Sequence, residues 1–136
     1  MADSTVEAPP REDHADREGS VALLTSPSRN RLILAGEVDV SMSHELGDAA
    51  REIERSGLPV DVDVRNLAFM DSSVIAVLAR VAYRIPHRLQ IIEPPDVMRF
   101  LLDVTNIGEI VDIVERDPGF PGQASPPGSV EPLATD

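Results

Sequence analysis

The sequence has no cysteine, no tryptophan and no lysine among its 136 residues, and each absence closes off a class of chemistry. Without cysteine there are no disulfides, no thiolate metal ligands and no sulfur nucleophile. Without lysine there is no amine for a Schiff base or for the phosphate grip of a P-loop. The same lack argues against a receiver domain phosphorylated on aspartate, whose site depends on a lysine beside the phosphoryl group. Positive charge is scarce: all twelve basic residues are Arg, against 24 acids, for a net charge of −12. Duplex nucleic acid and anionic membrane surfaces both require a basic footprint, so neither is expected as a partner. No apolar run approaches the roughly 18 residues of a membrane span. The first twenty residues are acidic and carry prolines, unlike a signal peptide, so a cytoplasmic location is expected.

What is present is one domain's worth of chain. Residues 1–20 carry six acids and two Arg without hydrophobic periodicity, and residues 117–136 are rich in Pro, Gly and Ser. Both read as disordered tails flanking a domain over 21–116. Within that domain, Val21–Thr25 and Arg31–Ala35 form an antiparallel hairpin across the Ser-Pro-Ser-Arg-Asn turn. A helix follows from Ser41, capped by Ser41 or Ser43 and stopped by Gly57-Leu-Pro59. Val60-Asp-Val-Asp-Val64 alternates strictly, which predicts a strand with its valines on one face and Asp61 and Asp63 on the other. Asn66–Met70 reads as a connection. The next helix starts at Asp71-Ser72-Ser73, buries Ile75, Leu78, Val81, Ala82 and Ile85, and ends at Pro86. Leu89–Ile92 is a buried strand, Pro95 opens a third helix that ends at Asn106-Ile-Gly108, and Ile110–Val114 is a last strand. This order predicts an α/β fold: a mixed, mostly parallel sheet of four to five strands with packed helices.

In open α/β sheets, sites lie where a strand gives way to a helix, and here that place is Phe69-Met-Asp-Ser-Ser73. A helix N-terminus offers N–H donors and partial positive charge, so a phosphate on Ser72 would be received there; the plainer alternative is that Asp71 or Ser72 only caps the helix. His14, His44 and His87 share no ligand spacing, and neither a metal nor another cofactor is expected. No His can be placed beside Ser72 to activate it, so the chain is not expected to be an enzyme. Arg80, Arg84 and Arg88 read as a solvated face, with docking to an acidic partner as the alternative. Phe69, Met70, Met98 and Phe100 read as core.

Three stretches resemble the STAS-domain anti-sigma factor antagonists of bacterial partner-switching systems. They are Arg31-Leu-Ile-Leu-Ala-Gly-Glu-Val-Asp39, Val60 to Val74 with its Phe-Met-Asp-Ser-Ser core, and Pro95 to Gly108 with Val-Met-Arg-Phe-Leu. The resemblance covers about Val21 to Val114. It implies a regulatory protein that, unphosphorylated, binds an anti-sigma factor, itself a serine kinase, and thereby governs sigma-factor-dependent transcription. It implies Ser72 as the phosphoacceptor, with Asp39, Asp71, Ser72, Ser73 and Val74 contacting the partner, in a monomer or weak dimer. Val74 stands where the family's segment has Gly, and the family's final helix is not evident. The alternative is an accessory STAS subunit of a transport or signalling complex, with no phosphorylation switch.

Overall fold

The computed structural model describes residues 18–121. Most of the expected N-terminal tail, and the C-terminal tail beyond Pro121, lie outside the described residues. Six strands, β1 (Ser20–Thr25), β2 (Asn30–Val38), β3 (Val60–Asp63), β4 (Leu67–Met70), β5 (Leu89–Ile92) and β6 (Val111–Val114), are joined by helices α1 (Ser43–Ser56), α2 (Ser72–Arg84) and α3 (Asp96–Val104). The sheet runs β1-β2-β3-β5-β6, antiparallel only between β1 and β2, and β4 pairs with the far end of β2. The mixed, mostly parallel α/β fold is as expected.

The added strand is β4, expected as a connection. It forms because β2 outruns β3: Arg31 pairs with Asp61 and Ile33 with Asp63, after which Gly36 to Val38 pair with Leu67 to Met70. The change of partner falls at a register shift between Gly36 and Glu37. Gly36 has φ +72, a backbone conformation that an L side chain resists, which explains the glycine in this strand.

All three helices share one core with one face of the sheet. Leu46, Ala50 and Ile53 of α1, Val74, Leu78 and Val81 of α2, and Met98 and Leu102 of α3 join Leu32, Leu34, Val60, Val62, Leu89 and Ile91 in a single buried cluster. Gly57 (φ +66) closes α1 in the left-handed conformation, and its N–H donates to the Ile53 carbonyl. Arg80 is half-buried and Arg84 exposed, and both pair with Glu54 of α1, at 3.0 and 3.7 Å, so this partly solvated face also ties the two helices together. Arg88 pairs with Asp112 at 2.9 Å. Met70 and Met98 are core, as expected, whereas Phe69 (49% exposed) and Phe100 (64%) are not.

The alternation of β3 places Asp61 and Asp63 on the face turned away from the helices, yet both are buried. Arg31, also buried, reaches Asp61 at 3.1 Å, and Arg65 clasps Asp63 at 2.8 Å. Arg29 pairs with Asp61 from the hairpin. The cover over this ionic face is the chain after β6. Residues 117–121, the described start of the expected tail, lie on that face: Asp117 accepts from Arg31 at 2.9 Å, and Phe120, 8% exposed, lies over the Arg31 guanidinium, 5.5 Å from charge centre to ring centroid. A composition rich in Pro and Gly masks an anchored turn.

Candidate functional site

The parallel pairing of β2 with β4 brings their carboxyl ends together, with Val38 opposite Met70. The residues that follow, Asp39 and Asp71, therefore leave the sheet side by side. Each caps what comes next. Asp39 accepts from the Ser41 N–H at 3.0 Å and the Ser41 hydroxyl at 2.6 Å, opening a 3-10 turn over Val40–Met42 that leads into α1. Asp71 accepts from the Ser73 N–H at 3.0 Å and from the Ser73 hydroxyl, and caps α2. Asp39 thus caps the 3-10 turn and Asp71 caps α2, whereas α1, expected to be capped by Ser41 or Ser43, has Met42 at its N-cap with no side-chain cap bond.

The two turns are tied to each other. The second oxygen of Asp71 accepts the Val40 N–H at 3.2 Å, so one carboxylate holds the start of α2 and the loop after β2. The Ser73 hydroxyl, together with the Ser73 and Val40 N–H groups, outweighs partial burial and holds the Asp71 carboxyl below the ordinary aspartate range. It is a fixed anion at neutral pH.

Ser72 is the first residue of α2 and is exposed, and its hydroxyl makes no hydrogen bond among the described residues. Ser73 differs: its hydroxyl is committed to Asp71. Exposed Val40 and exposed Phe69, the latter expected in the core, flank the same loops and give the rim an apolar component.

Two expectations about this site are corrected. Two of the donors expected to receive a phosphate on Ser72 are already committed, the Ser73 N–H to the Asp71 carboxylate and the Val74 N–H to the Asp71 carbonyl. A phosphate there would instead meet the fixed charge of Asp71, with Asp39 on the adjoining turn. Val74 cannot touch a partner. It points into the core with no exposed surface, so the side chain replacing the expected Gly fills the space between α2 and the sheet. Asp39, Asp71, Ser72 and Ser73 come together at one end of the sheet; Val74 lies beneath them.

Among the described residues no group of His, Cys, Asp and Glu could hold a metal ion, and no helix is long and apolar enough to cross a membrane.

A family profile described as "Mlab, STAS domain" matches residues 21–115. No curated protein matches the sequence significantly. Among solved structures, the anti-sigma factor antagonist SpoIIAA in its unphosphorylated form is similar at 18% identity and a TM-score of 0.58, covering 72% of this chain and 90% of that one. The phosphorylated form of SpoIIAA, the Bacillus cell fate determinant, is similar at 17% and 0.59, covering 71% and 92%. An anti-sigma factor antagonist from Mycobacterium paratuberculosis is similar at 13% and 0.64, covering 72% and 86%. At these identities the likeness is one of fold.

Proposed function

The chain belongs to the STAS-domain family, and from that premise we propose that it is an anti-sigma factor antagonist switched by phosphorylation of Ser72. Unphosphorylated, it binds an anti-sigma factor that is a serine kinase, and so regulates sigma-factor-dependent transcription. The observation that carries this reading is the state of Ser72: an exposed, uncommitted hydroxyl at the first position of α2, beside the fixed anion of Asp71. Asp39, Asp71, Ser72 and Ser73 form the partner surface.

The switch is electrostatic. A phosphate adds a charge of about −1.5 to −2 near neutral pH, next to two carboxylates that are already in place. With the Ser73 and Val74 N–H groups occupied by Asp71, the added charge repels its own site and a partner that had docked on it. No rearrangement of the core is needed.

The test uses the anti-sigma kinases of the chain's own host, ATP, phosphopeptide mass spectrometry and calorimetry. One phosphate is expected on Ser72 and none on Ser73. Ser72→Ala stays bound in the presence of ATP, and Ser72→Glu binds about tenfold or more weakly, though less weakly than the phosphorylated protein, since a carboxylate carries less charge. Absence of any modification at Ser72, together with unweakened binding by Ser72→Glu, rejects the switch. It would leave the second reading, an accessory STAS subunit of a transport or signalling complex without a phosphorylation switch.

A further inference from the structure

The face of the sheet opposite the helices is built to receive a ligand, and in this chain the ligand is its own C-terminal turn. Asp117-Pro118-Gly119-Phe120 is pre-shaped: Pro fixes one dihedral, Gly119 has φ +90, and the Gly119 N–H donates to Asp117 at 2.8 Å. Arg31 reads three of its features. Its Nη2 donates to the Asp117 carboxylate at 2.9 Å and to the Gly119 carbonyl at 3.2 Å, and its guanidinium lies against the Phe120 ring. Arg65 pairs with the other Asp117 oxygen at 3.2 Å. This is recognition of a carboxylate, a carbonyl and an aromatic ring, in register.

Two observations make the turn replaceable. Asp117 is the carboxylate that Arg31 and Arg65 share, so its removal leaves both guanidinium groups short of an acceptor, with Asp61 and Asp63 below them and Glu93 acting on Arg65 from farther off. The Arg31 Nε–H is buried with no acceptor among the described residues, so the present occupant leaves one donor unused. The turn is joined to β6 through Glu115, held by Arg99 at 2.6 Å, and exposed Arg116, so the segment that would leave begins at Arg116.

We propose that this face is a second binding site, distinct from the Ser72 surface, that recognises an acidic turn followed by an aromatic residue in a partner protein, and that Asp117–Phe120 occupies it in cis as a competitor. Tethering gives the cis segment an effective concentration of about millimolar. A partner segment must therefore bind better, and an acceptor for Arg31 Nε is the means the site offers.

The test opens the site in the full chain. Asp117→Ala/Phe120→Ala weakens the cis turn while leaving the Arg31 cluster, and Asp117→Asn alone is a gentler opening. The probe is a fluorescein-labelled synthetic peptide spanning residues 115–121, followed by anisotropy, with folding checked by the amide spectrum. The peptide is expected to bind the opened variants at least tenfold more tightly than wild type. A peptide carrying the same two alanines is expected not to bind. If folded opened variants fail to bind the peptide, or bind the alanine peptide as well as the native one, the proposal is overturned. Strap exchange between copies, seen as a wild-type dimer by light scattering without peptide binding, would also overturn it by assigning the site to a second copy of the chain.

Discussion

Replacing Val74 by the Gly that the resembling segment carries tests whether position 74 belongs to the core or to the partner surface. The side chain has no exposed area and lies in the third position of α2, within the core cluster. Removing a fully buried Val forfeits roughly 1.5–3 kcal/mol of transfer free energy. Gly adds about 0.5 kcal/mol over Val in backbone entropy, and incomplete relaxation around the vacated space adds a further cavity cost. The total is about 3 kcal/mol, corresponding to a fall in Tm of about 12–24 °C for a domain near 100 residues. Val74→Ala, which keeps Cβ, should lose about 2 kcal/mol. Urea denaturation followed by circular dichroism measures both. Because the side chain is covered, the affinity of folded Val74→Gly for a partner at the Ser72 surface should equal that of wild type. A loss below about 1 kcal/mol, or a gain of Ser72 phosphorylation without any change in the urea midpoint, would show that position 74 faces the partner and that its burial argument is wrong.

Asp71→Ala removes the cap of α2 and the tie to Val40, costing about 1 kcal/mol. Hydrogen exchange at the Ser73 and Val40 amides should accelerate together, and acceleration at only one of them would show that the two turns are not held by one carboxylate. Asp117 supplies a pH-dependent contribution. Burial alone would raise its carboxyl, but hydrogen bonds from Arg31 and the Gly119 N–H hold it below the ordinary aspartate range. Its contribution is therefore present above the unfolded value of about 3.9 and is lost as pH falls through the lower folded value. Asp117→Asn should be less stable than wild type by about 1–2 kcal/mol at pH 7. The gap should shrink once pH drops below about 4, and urea midpoints showing a constant gap down to pH 2 would remove the ionic role assigned to Asp117.

The elements that the sequence revealed are those with a local signature. Val60 to Val64 alternates, α1 and α2 repeat their apolar residues at helical spacing and end at Gly57 and before Pro86, and β1 and β2 flank a turn of Ser, Pro and Asn. β4 has no such signature. Its four residues include an exposed Ala68 and an exposed Phe69, and it is a strand only because β2 continues past the Gly36 bulge and offers an unpaired edge. The site was legible as a junction, since Asp71-Ser72-Ser73 follows an apolar run and precedes a helical one. That Asp39 joins it depends on parallel pairing between segments about thirty residues apart, which the resemblance implied and local pattern could not. Phe69 and Phe100 were expected in the core by residue type and Val74 at the partner surface by resemblance, whereas exposure depends on which side of a helix or strand faces the sheet. Phe120 lies in Pro-Gly surroundings that read as a disordered tail, and its contact with Arg31 is set by a residue nearly ninety positions earlier that no local pattern reveals.

The ionic face also explains how a four-residue strand is held in register. Burying Arg31, Asp61 and Asp63 is costly in itself, and apolar replacements of similar size can match a buried ion pair in stability. The difference lies in the alternatives excluded. Sliding β3 by one residue along β2 would turn Asp61 and Asp63 into the helix-facing core and send Val60, Val62 and Val64 to the other side. With apolar residues on both faces such a slip would cost little. With Arg31 directly opposite Asp61 it breaks a buried pair, a loss of about 3–5 kcal/mol, and strands both partners. Fixing β3 fixes the Arg65-Asn66 connection, where the Asn66 carbonyl accepts the Gly36 N–H at 2.9 Å, and that contact sets where β4 begins. Four residues later the chain reaches Asp71 and Ser72. The charged face and the serine surface are thus successive consequences of one cross-strand pairing, and Asp117, by bracing Arg31 and Arg65 together, closes the ionic cluster from outside the sheet.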